Sequence, residues 1–365
     1  MKNKILMVIP SYYPAVGGAE RQLMGLAKEL SANDLDIDVV TRNIDTSPNF
    51  EKINGYSLIR LVSHIPKLGF LIKLFIYLLT YHAKYKVIHV HTLNSPAILC
   101  ALFSKIFDIP VLIKVTRSGT GSQLSRYVNS FFGKKFFSIL KQNTFFVAIT
   151  PDVYSELVAM DVKKEKIFSI PNGVSVQKKL SKDVDRLKIV FLGRLIKRKR
   201  AELLINSFQK IEKPKGCELL IVGDGPERKS LERLIVDLNL GNSCRLMGSL
   251  SHNESLKILA ESNIFVLPSN SEGMSNALLE AMAARNAVIA ADIPANHALI
   301  QHNVNGLLFS DEMSLSKQLE EVINTSDKLI SLGLNAKETI DSVFSFPVIS
   351  NAYKNTYDVL SGTKI

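Results

Sequence analysis

The chain has 365 residues, 45 Lys+Arg against 34 Asp+Glu, a formal net charge of +11, and 46% apolar with 22% charged residues. That length favours two domains, and the composition excludes disordered and collagen-like classes. Cys100, Cys217 and Cys244 are scattered without paired spacing, which argues against a disulfide framework or a cysteine zinc site and suits a reducing cytoplasm.

Lys4–Pro10 reads as a buried first strand. Ser11-Tyr12-Tyr13-Pro14 follows it without a small-residue cleavage site, so the segment is not read as a signal peptide. The Tyr12–Glu20 loop contains Gly17-Gly18, and Glu20–Leu30 has helical periodicity. Strand, Gly-Gly loop and helix is one way to bring backbone close to a phosphate or sugar; a plain turn is the alternative. Asp34-Leu35-Asp36-Ile37-Asp38 contains D-x-D, a pattern that can hold a divalent cation. Its position at the entrance to the strand Val39–Thr41 favours simple alternation, and no metal is expected there.

Residues 52–151 hold 13 Lys or Arg and one acid, Asp108, a balance of +12 that accounts for the whole excess. Within them, Lys67–Lys86 and Arg126–Lys141 mix apolar runs with Lys or Arg. Neither run approaches the roughly 20 apolar residues needed to span a bilayer. Helical spacing gives each an apolar face with cations at its edges, able to lie in a membrane interface; core helices with a solvated rim are the alternative. Peripheral contact with anionic lipid is the favoured expectation. No nucleic-acid-binding motif supports the competing polyanion.

Val87–His91 and Val111–Val115 are further strands, and repeated βα units predict a parallel, doubly wound sheet. Thr116–Ser122 lies at a strand's carboxyl end, where such sheets place ligands. Arg117 within it is either a ligand contact or a surface arginine. Phe145–Thr150 is another strand. Ile167–Ile170 leads into the turn Pro171-Asn172-Gly173-Val174, and Gln177–Arg186 reads as a connector.

Leu187–Leu192 opens the second half, followed by the basic turn Gly193–Arg200. Fixed cations after a strand suit an anionic ligand; a solvated basic loop is the alternative. Leu219–Val222 precedes Gly223-Asp224-Gly225-Pro226, and Arg245–Gly248 reads as a short strand. Ser251-x-x-Glu254 is a capping box, which makes His252 a helix-start residue rather than a ligand. Ile264–Pro268 feeds a loop in which Glu272 and Glu280 bracket Gly273-Met274-Ser275-Asn276. Amides at that helix start form an anion site, and a carboxylate on either side can take hydroxyls. Either Arg285 or Asn286 must end this helix, and Asn is better suited to the left-handed conformation.

Glu272 and Glu280, inside SEGMSNALLEAMA, resemble the E-x7-E signature of retaining glycosyltransferases of family 4, also called glycosyl transferase group 1. The resemblance implies the GT-B fold: two Rossmann-like doubly wound domains facing across a cleft, with a C-terminal helix crossing back to the first. Expected boundaries are residues 1–174, a linker 175–187, a second domain 188–344 and the helix 345–365. Gly17 and Gly18 match the GG-x-E element near the donor diphosphate and acceptor. Gly193-Arg194-Leu195 with Lys199 matches GRL-x-x-x-KG, with Arg200 where glycine is usual. Arg194 and Lys199 would then bind the diphosphate, with Lys197, Arg198 and Arg200 as bystanders. Gly223 lies in a VGDGP turn near the nucleotide, Arg245 and Met247 in the segment that meets the base, and Arg117 where many relatives carry histidine.

The implied activity is sugar transfer, with retention, from a nucleotide-diphospho-sugar, UDP-linked as the family prior, to a glycan or lipid-linked acceptor of surface-polysaccharide assembly. Glu280 would hold ribose hydroxyls and Glu272 sugar hydroxyls, while Gly273, Met274, Ser275 and Asn276 present amides to the diphosphate. No metal or other cofactor is expected, nor a nucleic-acid partner. The expected location is cytoplasmic, peripheral at the membrane's inner face. A nucleotide-sugar epimerase of similar fold and a non-catalytic membrane- or nucleic-acid-binding protein are the alternatives.

Overall fold

A computed structural model describes residues 4–13, 17–43, 47–63, 65, 67–119, 122–128, 131–176 and 186–362. Two compact units result: residues 1–173 with the returning segment 346–365, and residues 174–345. The expected connector Gln177–Arg186 lies outside the described residues except for Arg186, as do Pro14–Val16, Thr120-Gly121 and the Arg126 side chain.

The strands of the first unit are β1 (Lys4–Val8), β2 (Ile37–Arg42), β3 (Phe50–Ile53), β4 (Tyr56–Leu61), β5 (Tyr85–Val90), β6 (Val111–Val115), β7 (Phe145–Ala148) and β8 (Ile167–Ser169). They line up as β3-β4-β2-β1-β5-β6-β7-β8, parallel except for the antiparallel β3–β4 pair. β1 and β6 are nearly continuous apolar runs because helices cover both faces of the sheet. Gly18–Ala32 and Phe346–Leu360 pack together on one side, and Phe346 sits on Gly25 and Gly173. Leu68–Tyr81, Ser95–Phe107 and Phe131–Asn143 form the other layer.

The D-x-D carboxylates are occupied within the unit. Lys4 Nζ is 3.0 Å from Asp36 and 3.2 Å from Asp38, and Tyr85 Oη donates to Asp38 at 2.8 Å. The basic excess is thinner on the surface than in the sequence. Arg60 pairs with Glu51, Lys86 with Asp358 and Lys141 with Asp161, while Lys114 is buried.

The second unit contains β9 (Lys188–Leu192), β10 (Glu218–Val222), β11 (Cys244–Gly248), β12 (Ile264–Leu267), β13 (Ala287–Ala291) and β14 (Leu307–Phe309). All are parallel, in the order β11-β10-β9-β12-β13-β14. The winding direction reverses between β9 and β12. Such a reversal leaves a crevice at the carboxyl ends of those two strands. Phe191, Ile221, Val266 and Ile289 are fully buried beneath it and fix the heights of the strand ends.

One local expectation is corrected. Arg285, not Asn286, takes the left-handed position after the helix Asn276–Ala283, at φ 58°. Asn286 is fully buried, and its amide donates to Leu259 O at 3.1 Å and Ala281 O at 3.0 Å. Those inward bonds outweigh the backbone preference of asparagine.

Candidate active site

Four loops meet at the carboxyl edge of the second sheet. After β9, Gly193 N donates to Val222 O at 3.0 Å and Leu195 N to Asp224 O at 2.9 Å. These bonds join the Gly193–Arg200 turn to the Gly223–Pro226 turn after β10. The latter is tied to β11 by Gly223 N donating to Gly248 O at 2.8 Å. Gly223 has φ 135°, and a Cβ there would stand 1.9 Å from Gly193 O. Gly223→Ala is therefore expected to push the two turns apart. Stability should fall by about 1–3 kcal/mol, as read by thermal unfolding.

Lys197–Lys199 is one short 3-10 turn ending in Arg200 at φ 50°, which explains why a glycine can stand at that position. The turn aims Lys199 at the loop after β12. Lys199 Nζ is 2.5 Å from Glu272 Oε1, with only 13% and 10% of the two side chains exposed. Arg198 is not a bystander. Its Nη1 donates to Ser271 O and lies 3.5 Å from Glu272 Oε2, and Asn270 N donates back to Arg198 O at 3.1 Å. One carboxylate is thus held by two cations from the neighbouring strand end. Arg194 is exposed on the same turn and makes no ion pair among the described residues.

The loop then enters the helix Asn276–Ala283 through Ser275, whose hydroxyl accepts from Leu278 N at 3.3 Å. Ser275 therefore caps one amide of the first turn. Gly273 is half-buried and Met274 is 8% exposed on the same approach. Glu280 follows on the helix, 8% exposed. Its Oε1 is 3.9 Å from His252 Nδ1. His252 does start its helix, behind the Ser251–Glu254 capping box, and it also faces the glutamate.

The remaining candidates divide between the units. Met247 is partly exposed near the end of β11. The structure does not bring the Arg245 side chain to this edge: its guanidinium is 2.6 Å from Glu218 Oε2, at the amino end of β10. On the first unit, Gly17 N donates to Glu20 Oε2 at 3.0 Å at the start of the helix Gly18–Ala32. Arg117 is half-buried in a loop anchored by Glu156, which accepts from Gly119 N at 2.9 Å. A concavity of about 510 Å³ also exists on this unit, lined by Lys4, Asp36, Asp38, Tyr77 and Tyr81. It lies at the amino ends of β1 and β2, the wrong end of a doubly wound sheet for the site described above.

No group of three or more His, Cys, Asp or Glu suited to a metal occurs among the described residues. The chemistry available at the second sheet's edge is a cationic rim, two nearly buried carboxylates and a capped helix start. Together they can hold an anion beside a polyhydroxyl group.

Two family models cover most of the chain: Glycosyltransferase Family 4 matches residues 16–178 and Glycosyl transferases group 1 matches residues 175–339. The N-acetyl-alpha-D-glucosaminyl L-malate synthase of Bacillus anthracis is 23% identical over 380 residues, spanning 96% of this chain and 97% of that protein. The lipopolysaccharide core biosynthesis glycosyltransferase LpsE of Rhizobium meliloti is 26% identical over 215 residues, 57% of this chain and 62% of that protein. Among solved structures, HepE of Anabaena in complex with UDP and glucose superposes with a TM-score of 0.77 at 20% identity, covering 98% of this chain and 99% of that one.

Proposed function

Because this chain belongs to the group 1, family 4 glycosyltransferases and has their GT-B fold, we propose that it transfers a sugar with retention from a UDP-linked donor to a glycan or lipid-linked acceptor. The observation that carries this reading is the clamp on Glu272. Lys199 and Arg198 come from the end of β9 and Glu272 from the end of β12, at the point where the sheet reverses.

In this reading the diphosphate lies over the start of the helix Asn276–Ala283. Arg194 and Lys199 neutralise the charge that grows on it as the glycosidic bond breaks. Glu272 accepts from sugar hydroxyls, and Lys199 fixes the carboxylate's direction. Glu280 accepts from the ribose hydroxyls. The acceptor attacks on the face the diphosphate leaves, and a phosphate oxygen takes its proton. Positive side chains supply the electrostatic stabilisation, so the reading requires neither a metal nor a side-chain general base. Homologues in lipopolysaccharide and polysaccharide assembly support an acceptor of that class. A peripheral place at a cytoplasmic membrane face is part of this reading.

Thermal unfolding with UDP, GDP, ADP and CMP tests the donor half. Saturation at about 100 times the dissociation constant adds roughly 2.7 kcal/mol, a shift of several degrees at this size. The expected result is a UDP-selective shift that Glu280→Ala abolishes. A shift with GDP alone would move the assignment to another donor, and no shift with any of the four would remove the donor reading.

A further inference from the structure

One large surface of the first unit is left unused by donor chemistry. The helices Leu68–Tyr81, Ser95–Phe107 and Phe131–Asn143 lie side by side. Phe75 meets Phe103 edge-on at 5.7 Å, and Ser104 Oγ donates to Asn143 O at 3.1 Å. Their inner sides bury Leu74, Leu78, Cys100, Phe103, Phe137 and Leu140. Their outer sides do not turn polar, as those of surface helices ordinarily do.

Ile72, Phe75 and Ile76 are 42–50% exposed on the first helix, Ile106 is 69% exposed on the second, and Phe131 and Phe132 are 80% and 68% exposed on the third. Apolar groups gathered on adjoining helices mark an interaction surface. The charged residues within the three helices are all basic. Lys73, Lys105, Lys134 and Lys135 are exposed, and none is in an ion pair among the described residues.

We propose that this three-helix face docks on an anionic lipid membrane. Aliphatic and aromatic tips enter the acyl boundary, and the lysines stay at the phosphates. Long flexible lysine stems allow that arrangement, since they keep the charge in the headgroup layer while their methylenes lie along apolar surface. A nucleic acid would be met by the cations and would leave two phenylalanines facing its phosphates. A protein partner would have to cover an apolar face whose helices carry only positive charges. No helix among the described residues is long and apolar enough to cross a membrane, so contact is along the surface. The inference deepens the acceptor half of the proposed function by naming the face that meets the acceptor's lipid, and it is independent of the donor half.

The test is co-sedimentation of the full chain with vesicles of phosphatidylcholine alone and of equimolar phosphatidylcholine and phosphatidylglycerol. The wild type should pellet with the mixed vesicles only. Phe131→Ser/Phe132→Ser and, separately, Lys134→Glu/Lys135→Glu should each weaken binding about tenfold or more at low salt. Lys229→Glu, an exposed change on the second unit, should leave it unchanged. The UDP-induced unfolding shift, read on the same proteins, should persist in every variant, which separates lost docking from lost fold. Absence of pelleting, or equal pelleting by the phenylalanine variant, overturns the proposal. So does a concentration-dependent dimer in light scattering that the phenylalanine variant abolishes. A wild type that pellets but shows no UDP shift would sink the donor reading and leave this one standing.

Discussion

Lys199→Ala is expected to lower kcat by on the order of 10²–10³, the loss typical of removing one fixed charge-stabilising group from a reacting centre. It is also expected to lower stability. Lys199 and Glu272 form a nearly buried pair at 2.5 Å, and removing one member leaves the other charge with only Arg198 at 3.5 Å. Breaking such a pair costs about 3–5 kcal/mol. Those two losses have different cures, and the difference decides what Lys199 does. Glu272→Gln added to Lys199→Ala removes the orphaned charge, so thermal stability should return most of the way towards wild type. Turnover should not return, because the growing diphosphate charge still lacks its cation and the sugar hydroxyls have lost their carboxylate. If the double variant recovered both, Lys199 would be a counterion for Glu272 and nothing more. Assays with a UDP-sugar and urea unfolding of the four proteins complete the cycle.

The halves of this clamp were legible because each is local in sequence. Glu272 to Glu280 is a loop-to-helix spacing, and Gly193 to Lys199 is one turn after a strand. Their joining is not local. Nothing in the spacing says that Arg198, rather than Lys197, turns towards Ser271, or that His252 comes within 3.9 Å of Glu280. Those contacts depend on β9 and β12 being neighbours and on the angle at which two helices pack. The same limit hid the partner of the Arg245 side chain. Strand alternation exposes that residue, but its pairing with Glu218 follows from β10–β11 register.

The hairpin β3–β4 was not anticipated, although its signal was present. Asn54-Gly55 forms the two-residue turn with φ 48° and 93°, the turn chemistry that suits a tight hairpin. Charged Glu51 and Lys52 in so short a strand masked the alternation. Lys67–Lys86 and Arg126–Lys141 contain the helices Leu68–Tyr81 and Phe131–Asn143, with Lys73, Lys134 and Lys135 exposed. The sequence did not show that Ser95–Phe107, whose single lysine draws little notice, lies between the other two.

Lys114→Met is expected to stabilise the first unit at neutral pH, by a margin that shrinks as pH rises towards 10. Lys114 lies on β6 inside a VLIKV run and is 3% exposed. His91 continues β5 beside it, and His89 packs on His91 with ring centres 4.0 Å apart. The returning helix Phe346–Leu360 covers them. Tyr357 Oη is 2.7 Å from His89 Nδ1, and the Tyr353 ring centre is 5.9 Å from Lys114 Nζ. No carboxylate is paired with the ammonium among the described residues. Burial pushes the Lys114 pKa down from 10.5 to about 7, and it holds both histidines well below 6.5.

The sign follows from proton counts. Between pH 7 and 10.5 the unfolded chain binds the Lys114 proton and the native chain does not, so stability rises with pH across that window. Below pH 7 the penalty is present in full, on the order of 4 kcal/mol for a shift of this size. The histidines act in the same direction lower down, where stability falls as pH drops below 6.5. Methionine fills similar volume without a charge to bury, so the variant's melting transition should lie several degrees above wild type at pH 7 and approach it by pH 10. Calorimetric scans of both proteins at pH 6, 7, 8, 9 and 10 measure this. A constant difference across the series would mean that packing, not the buried ammonium, sets the stability of the sheet beneath the returning helix.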